Sequence, residues 1–354
     1  MPKESRKNRL MPGHAGELET GFIKTLAEAN ESVRLLDDAI GKFNSSLHDI
    51  ESRYNPEIIE ELLQQTSAAI NNACEACSAV DKDFRDDPDV LRNLRDDFRM
   101  RTNAIISKSH YMNHSRIWPK GYPGDYKIIE AMYRNIPVSA GLGRLLDILT
   151  LNTTLAIAVR HRLSAMAGFL REELLNRTSP RVLNIACGSC RELFSLAPEI
   201  IGSNATFTCV DHDEDALNFA ASRLLDASLA GHIEMKKYNA LRIVNHERNL
   251  QEFGPQDIIY SIGFFDYLAD GLLIRIFASL YKLLNPGGTF IAAFKDSRRY
   301  KTPEYHWMVD WAGFYQRTEE DSATIIERAG IPLEKCSRTR DASGVIIFYR
   351  VKKD

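Results

Sequence analysis

The chain has 354 residues, 44% of them hydrophobic, with 45 Lys and Arg against 48 Asp and Glu and a formal net charge of −3. That length exceeds the usual single core of about 100–200 residues, so two domains are expected. The slightly acidic balance excludes the basic field of a dedicated nucleic-acid binder, and the apolar content excludes general disorder. No apolar run approaches the roughly 18–20 residues that span a bilayer. The opening MPKESRKNRLMPGH lacks the apolar stretch of a signal peptide, so a cytoplasmic location is the expectation.

Apolar residues recur at Phe22, Leu26, Ala29, Val33, Leu36, Ile40, Phe43, Leu47 and Ile50. This 4,3 alternation is a coiled-coil seam that needs a partner, either the next helix or a second subunit, so a homodimer is one expectation. Asn55–Pro56 and Asp87–Pro88 open two further helices, with Asn or Asp as N-cap and Pro at the first helical position. Cys74 and Cys77 fall in the first of these at helical spacing and read as core residues, not metal ligands; no metal site is expected. The segment IWPKGYPGD at 117–125 cannot continue a helix, yet it contains Trp118 and Tyr122. It reads as an ordered, stiff loop that closes over a pocket through Tyr122, with Asp125 capping the short helix that follows. A long amphipathic helix is predicted from Gly143 to about Asn176.

From Pro180 the pattern becomes strand–helix alternation, with candidate strands at 181–185, 206–210, 233–238, 257–261 and 289–294, then 333–339 and 345–351 joined by a short turn. The reading is an α/β fold with a Rossmann-like, mostly parallel seven-stranded sheet and an antiparallel C-terminal hairpin, preceded by an all-α N-terminal domain. The domains are placed at 1–135 and 136–354.

Val182 to Leu196 (VLNIACGSCRELFSL) runs from a buried strand through the small residues Ala186, Cys187, Gly188 and Ser189 into a helix. Small residues there let a ligand approach the backbone closely, but the three glycines of a dinucleotide turn are missing. Asp211 ends the second strand, where a carboxylate suits a ribose diol. Asn239, Ala240 and Leu241 follow the third strand and suit an adenine edge. Ser261, Gly263, Phe265, Asp266 and Tyr267 follow the fourth, and Leu284–Gly288 forms an L-x-P-G-G-type turn.

In this order these pieces resemble a class I S-adenosylmethionine-dependent methyltransferase. The resemblance implies S-adenosylmethionine as cofactor, held by Ala186, Gly188, Ser189, Arg191, Asp211, His212, Asn239, Ala240, Leu241, Ser261 and Gly263. Two departures stand out: Cys190 replaces a third small residue, and Asn184 stands where an acid is common. The loop at 119–125, the helical domain and WMVDWAGFY at 307–315 resemble more narrowly a two-domain bacterial family that includes 3-hydroxy fatty acid methyl ester synthases. Azetidine-2-carboxylate synthases, which cyclise the cofactor and release methylthioadenosine, look similar in layout.

A carboxylate acceptor needs no general base; a hydroxyl or amine does, and Tyr122, Tyr267 and His306 are the catalytic candidates. Tyr122, Phe265, Tyr267, Lys295, Trp311 and Tyr315 are the expected acceptor-binding residues, with Trp307, Trp311 and Phe314 also at the spacing of a helix that packs on the sheet. The expected partner is a small-molecule substrate. The rival readings are an intramolecular cyclase and a non-catalytic S-adenosylmethionine sensor, with the helical domain acting as lid or dimerisation module.

Overall fold

The computed structural model describes residues 23–311 and 313–354, so Phe22, where the seam starts, lies outside the described residues. The chain forms two compact units: 1–116 with 138–149 and 303–310, and 117–137 with 150–302 and 311–354. The division is therefore not a single cut near residue 135. The proline-rich loop belongs with the sheet, and two later segments belong with the helices.

In the first unit the seam is interrupted. Asn30 is non-helical, and its side chain accepts from the amides of Ser32 (2.9 Å) and Val33 (3.3 Å), capping the helix Glu31–Ser52. An Asn–Glu pair beside two amides favours a cap over continued helix, and the heptad pattern yields to it. The remaining seam residues Val33, Leu36, Ile40, Phe43, Leu47 and Ile50 are all buried, and the helix packs on Ile59–Asp83 of the same chain. Cys74 and Cys77 are buried in that second helix. Helix Pro88–Arg101 adds Phe98, whose ring lies between those of Phe43 (6.4 Å) and Trp307 (5.7 Å).

Trp307 thus anchors 303–310 in the helical unit rather than in a helix on the sheet. Its Nε1 donates to Asp81 (2.9 Å), Arg99 donates to the carbonyl of His306 (2.6 Å), and Arg116 donates to that of Met308 (2.8 Å). The helix expected from 143 to 176 is likewise two helices, Gly141–Leu151 and Thr154–Leu175, separated at Asn152 and Thr153.

The second unit is built on a seven-stranded sheet of order β3-β2-β1-β4-β5-β7-β6. Its strands are β1 Arg181–Ile185, β2 Thr206–Asp211, β3 Ile233–Lys237, β4 Gln256–Ser261, β5 Leu284–Lys295, β6 Cys336–Arg340 and β7 Ile346–Lys352. The first five are parallel, while β7 runs antiparallel to both β5 and β6. β1 is buried at four of its five positions, as a strand covered on both faces must be. The order reverses beside β1, so the carboxyl ends of β1, β2 and β4 open a crevice at that switch point, where open α/β sheets take ligands.

Candidate functional site

The turn after β1 is tightly bent. Ala186 (φ +52°), Gly188 (φ +56°) and Cys190 (φ +46°) all occupy the left-handed region. For the two non-glycine residues this costs on the order of 1–2 kcal/mol each, so the bend must be held from outside. Two bonds from β2 hold it: the Cys187 amide donates to the Val210 carbonyl (3.0 Å), and the Gly188 amide donates to Asp211 Oδ2 (2.9 Å). A Cβ on Gly188 would meet no atom within 4 Å, so the backbone there faces open space.

Asp211 is buried at the tip of β2, and its Oδ1 also accepts from the Asp213 amide (3.0 Å). Burial would raise its carboxyl. The His212 imidazole and the amides of Asp213 and Gly188 outweigh that and hold it below the ordinary carboxylate value. His212 in turn is raised above an ordinary histidine, chiefly by its hydrogen bond to Asp211.

The loop 119–125 lies along this rim. The Tyr122 phenol donates to Asp213 Oδ2 (3.1 Å), its ring centre is 4.9 Å from that of His212, and Lys120 pairs with Asp213 and Asp215. Burial, then the acids around it, push the Tyr122 phenol well up, so it stays protonated. At the loop's other end Gly124 adopts φ +72°, and a Cβ there would fall 2.9 Å from the Tyr267 hydroxyl and 3.2 Å from Trp311. The loop therefore runs from the tip of β2 to the segment after β4. Asp125 is the N-cap of Tyr126–Arg134, accepting from the amides of Lys127 (2.9 Å) and Ile128 (3.3 Å). Glu130 of that helix, buried, pairs with Arg191 and Arg223, and Arg223 also reaches the Ser189 carbonyl (3.3 Å). One cluster of charge thus fastens the loop to the segment after β2, and the other fastens its helix to the turn after β1.

After β4, the Tyr267 hydroxyl accepts from Trp311 Nε1 (2.8 Å), and burial pushes its phenol up to about 12. Several expected ligand residues have other partners. Phe265 is fully buried in the sheet core against Phe277 (4.8 Å between ring centres), so it walls no pocket. Lys295 is buried in an ion pair with Asp266 (2.5 Å) under the ring of Phe314, which answers its charge internally. The Ser261 hydroxyl donates to the Ile185 carbonyl (2.7 Å), tying β4 to β1. Asn239 spends its amide oxygen capping the turn Ala240–Val244 through the Leu241 amide (3.0 Å). Tyr315 is largely exposed, and its amide bonds the Asp266 carbonyl. His306 belongs to the first unit, where burial, then Arg95 and Arg99, lower its imidazole to about 4.

Sequence reasoning missed Glu192 and Arg162. Glu192 is buried behind the turn, where its Oε1 accepts from Asn184 (3.0 Å) and the Tyr260 hydroxyl (2.8 Å), and burial raises its carboxyl to about 7. The acid absent at position 184 is thus supplied to the same spot by a helix residue. Arg162 sits in the apolar stripe of Thr154–Leu175 and is buried. A cation inside an apolar stripe was the signal in the sequence.

Residues 183–290 match the profile of a methyltransferase domain. A search of curated proteins finds no match. Among solved structures, one described as a possible exported protein from Bordetella parapertussis is similar, at 18% identity over 65% of this chain and 79% of that one with a TM-score of 0.54. A magnesium protoporphyrin IX methyltransferase from Synechocystis PCC 6803 is similar at 14% identity, 57% and 85% coverage and a TM-score of 0.42. An N-methyltransferase from Bradyrhizobium japonicum stands at 16% identity, 55% and 95% coverage and a TM-score of 0.37. The sheet of the second unit has the Rossmann-like methyltransferase fold, and residues 183–290 within it are the part that matches the methyltransferase-domain profile.

Proposed function

We propose that this protein transfers a methyl group from S-adenosylmethionine to a small molecule whose acceptor is a carboxylate or hydroxyl. The reading rests first on one observation within the matched domain: the amide of Gly188 donates to Asp211, with open space over the glycine. That arrangement fits the cofactor. An ionised carboxylate committed to two backbone amides on its inner side keeps lone pairs for a ribose diol, and a glycine without a Cβ admits close approach of the ligand.

S-adenosylmethionine supplies an activated methyl on a sulfonium, so the protein's work is to bind, orient and exclude water. Asp211 and Gly188 bind. Tyr122, held by Asp213, covers the rim beside them, and Gly124 brings the same loop against Tyr267 and Trp311. Tyr122 and Tyr267 both have raised phenols, so near neutral pH they act as hydrogen-bond donors rather than as bases. A carboxylate acceptor, already ionised, needs no base, whereas a hydroxyl would call on His212 beside Tyr122, whose imidazole Asp211 raises.

The test is product analysis of the purified full chain. With S-adenosylmethionine and a panel of carboxylic acids, S-adenosylhomocysteine and a methyl ester are expected. Methylthioadenosine formed from S-adenosylmethionine alone would replace this reading with a cyclase, and binding without turnover under every condition would replace it with a sensor.

A further inference from the structure

The second unit buries three cationic side chains among the described residues, and only two have an anion. Arg317 pairs with Asp270 (2.6 Å) and Lys295 with Asp266 (2.5 Å). Arg162, 5% exposed, makes no ion pair among the described residues, and its Nε is buried without a hydrogen-bond partner. A buried charge without a counter-ion is strongly destabilising in a finished fold, so its retention signals a partner that arrives later.

Its position says where that partner sits. The guanidinium lies close against the backbone after β4: a Cβ on Gly263 would be 2.8 Å from Nη1, 2.9 Å from Nη2 and 3.0 Å from Cζ. Glycine at 263 is what lets the fork lie there. The charged groups around it are answered by one another: Lys295 pairs with Asp266, Glu130 pairs with Arg191 and Arg223, and Glu192 accepts from Asn184 and Tyr260. A planar fork of donors, buried and without an acid of its own, matches a carboxylate, which it grips through two parallel bonds.

We propose that Arg162 is a carboxylate anchor of the reaction site, with the post-β4 glycine Gly263 shaped to hold its guanidinium in place. The proposal builds on the methyltransferase reading above. Two reactants offer a carboxylate, the amino-acid end of the cofactor and a carboxylic acceptor, and ligands lacking one or the other tell them apart.

The experiment measures, by calorimetry on the full chain, binding of S-adenosylhomocysteine, of methylthioadenosine (which lacks the amino-acid end) and of decanoate to S-adenosylhomocysteine-saturated protein. Arg162→Met, Arg162→Lys and Gly263→Ala are compared with wild type. If the cofactor is the source, Arg162→Met weakens S-adenosylhomocysteine about 10- to 150-fold, the range for bonds to a charged group. Methylthioadenosine is then unaffected, Arg162→Lys recovers part of the loss, and Gly263→Ala, which keeps the charge but displaces it, shows a smaller loss of the same kind. If the acceptor is the source, S-adenosylhomocysteine is unchanged and decanoate binding is lost.

Either pattern should come with a ligand-free melting temperature for Arg162→Met equal to or above wild type, because an uncompensated charge has been removed; a purely structural arginine would lower it. Equal affinity of wild type and Arg162→Met for S-adenosylhomocysteine, with no decanoate binding lost, overturns the anchor and leaves the methyltransferase reading standing. Failure of wild type to bind either nucleoside overturns both.

Discussion

Asp211 offers the sharpest test of the cofactor site, because its structural and ligand-binding duties can be separated. Its carboxylate accepts from the Gly188 amide at 2.9 Å and the Asp213 amide at 3.0 Å. Asp211→Ala would leave both amides without that acceptor, at about 1–3 kcal/mol for each that stays dry. It therefore loosens the turn as well as the ligand. Asp211→Asn is milder: the amide keeps the shape and an acceptor for one of the two backbone amides, turns its NH2 to the other, and loses the charge. Bonds from ribose hydroxyls to a charged acceptor are worth about 1.5–3 kcal/mol, so the affinity of Asp211→Asn should fall roughly 10- to 150-fold. A cycle then isolates the contact. Methylthioadenosine and its 2′-deoxy analogue are titrated by calorimetry into both proteins. Wild type should lose affinity when the hydroxyl is removed, and Asp211→Asn should be nearly indifferent. If removing the hydroxyl costs the same in both proteins, Asp211 does not hold the ribose, and the site must be rebuilt elsewhere.

Four further outcomes follow from the geometry. Tyr122→Phe, which loses the bond to Asp213, should lower turnover while costing only about 0.5–1.5 kcal/mol in chemical denaturation, since the ring against His212 remains. Gly124→Ala should reduce turnover more than Gly121→Ala: both have positive φ, but only at Gly124 would the new methyl strike Tyr267 and Trp311. Glu192, whose carboxyl is raised to about 7 by burial, stays protonated in the native chain across pH values where the unfolded chain has released its proton. Its contribution to stability therefore declines as pH rises from the ordinary carboxyl range to about 7, and denaturation curves of Glu192→Gln should lack that decline. His306, neutral in the fold down to about 4, acts in the opposite sense: stability is lost as pH falls from about 6.5 toward 4, and His306→Gln should flatten that acid limb.

The sheet was legible because its code is local. Runs such as Val182–Ile185 and Ile258–Ser261 are short, apolar and bounded by turn residues, and burial on both faces demands that pattern whatever the neighbours are. The sharp turn at Gly188 and the carboxylate at Asp211 were legible for the same reason, since both sit at strand ends fixed by chain order. The helical half was less so. Its heptad rhythm passes through Asn30, but the rhythm does not say whether the chain stops to cap a helix there, and the Asn30 bonds to Ser32 and Val33 decide it.

What the sequence conceals is where a polar side chain spends its capacity, and this divides the candidate site. Phe265, Ser261 and Lys295 all follow the rule that ligand residues cluster at strand ends. Yet each is consumed inside the fold, by the aromatic core, by the Ile185 carbonyl and by Asp266. Arg162 and Glu192 break the local rule instead, as charged residues in apolar surroundings, and their meaning depends on partners far along the chain. Glu192 finds Asn184 and Tyr260, so its carboxyl is answered by hydrogen bonds within the fold. Arg162 lies against Gly263 and pairs with no acid among the described residues. Between two buried ionisable groups equally unexpected from composition, the one the fold leaves uncompensated points outward to a ligand.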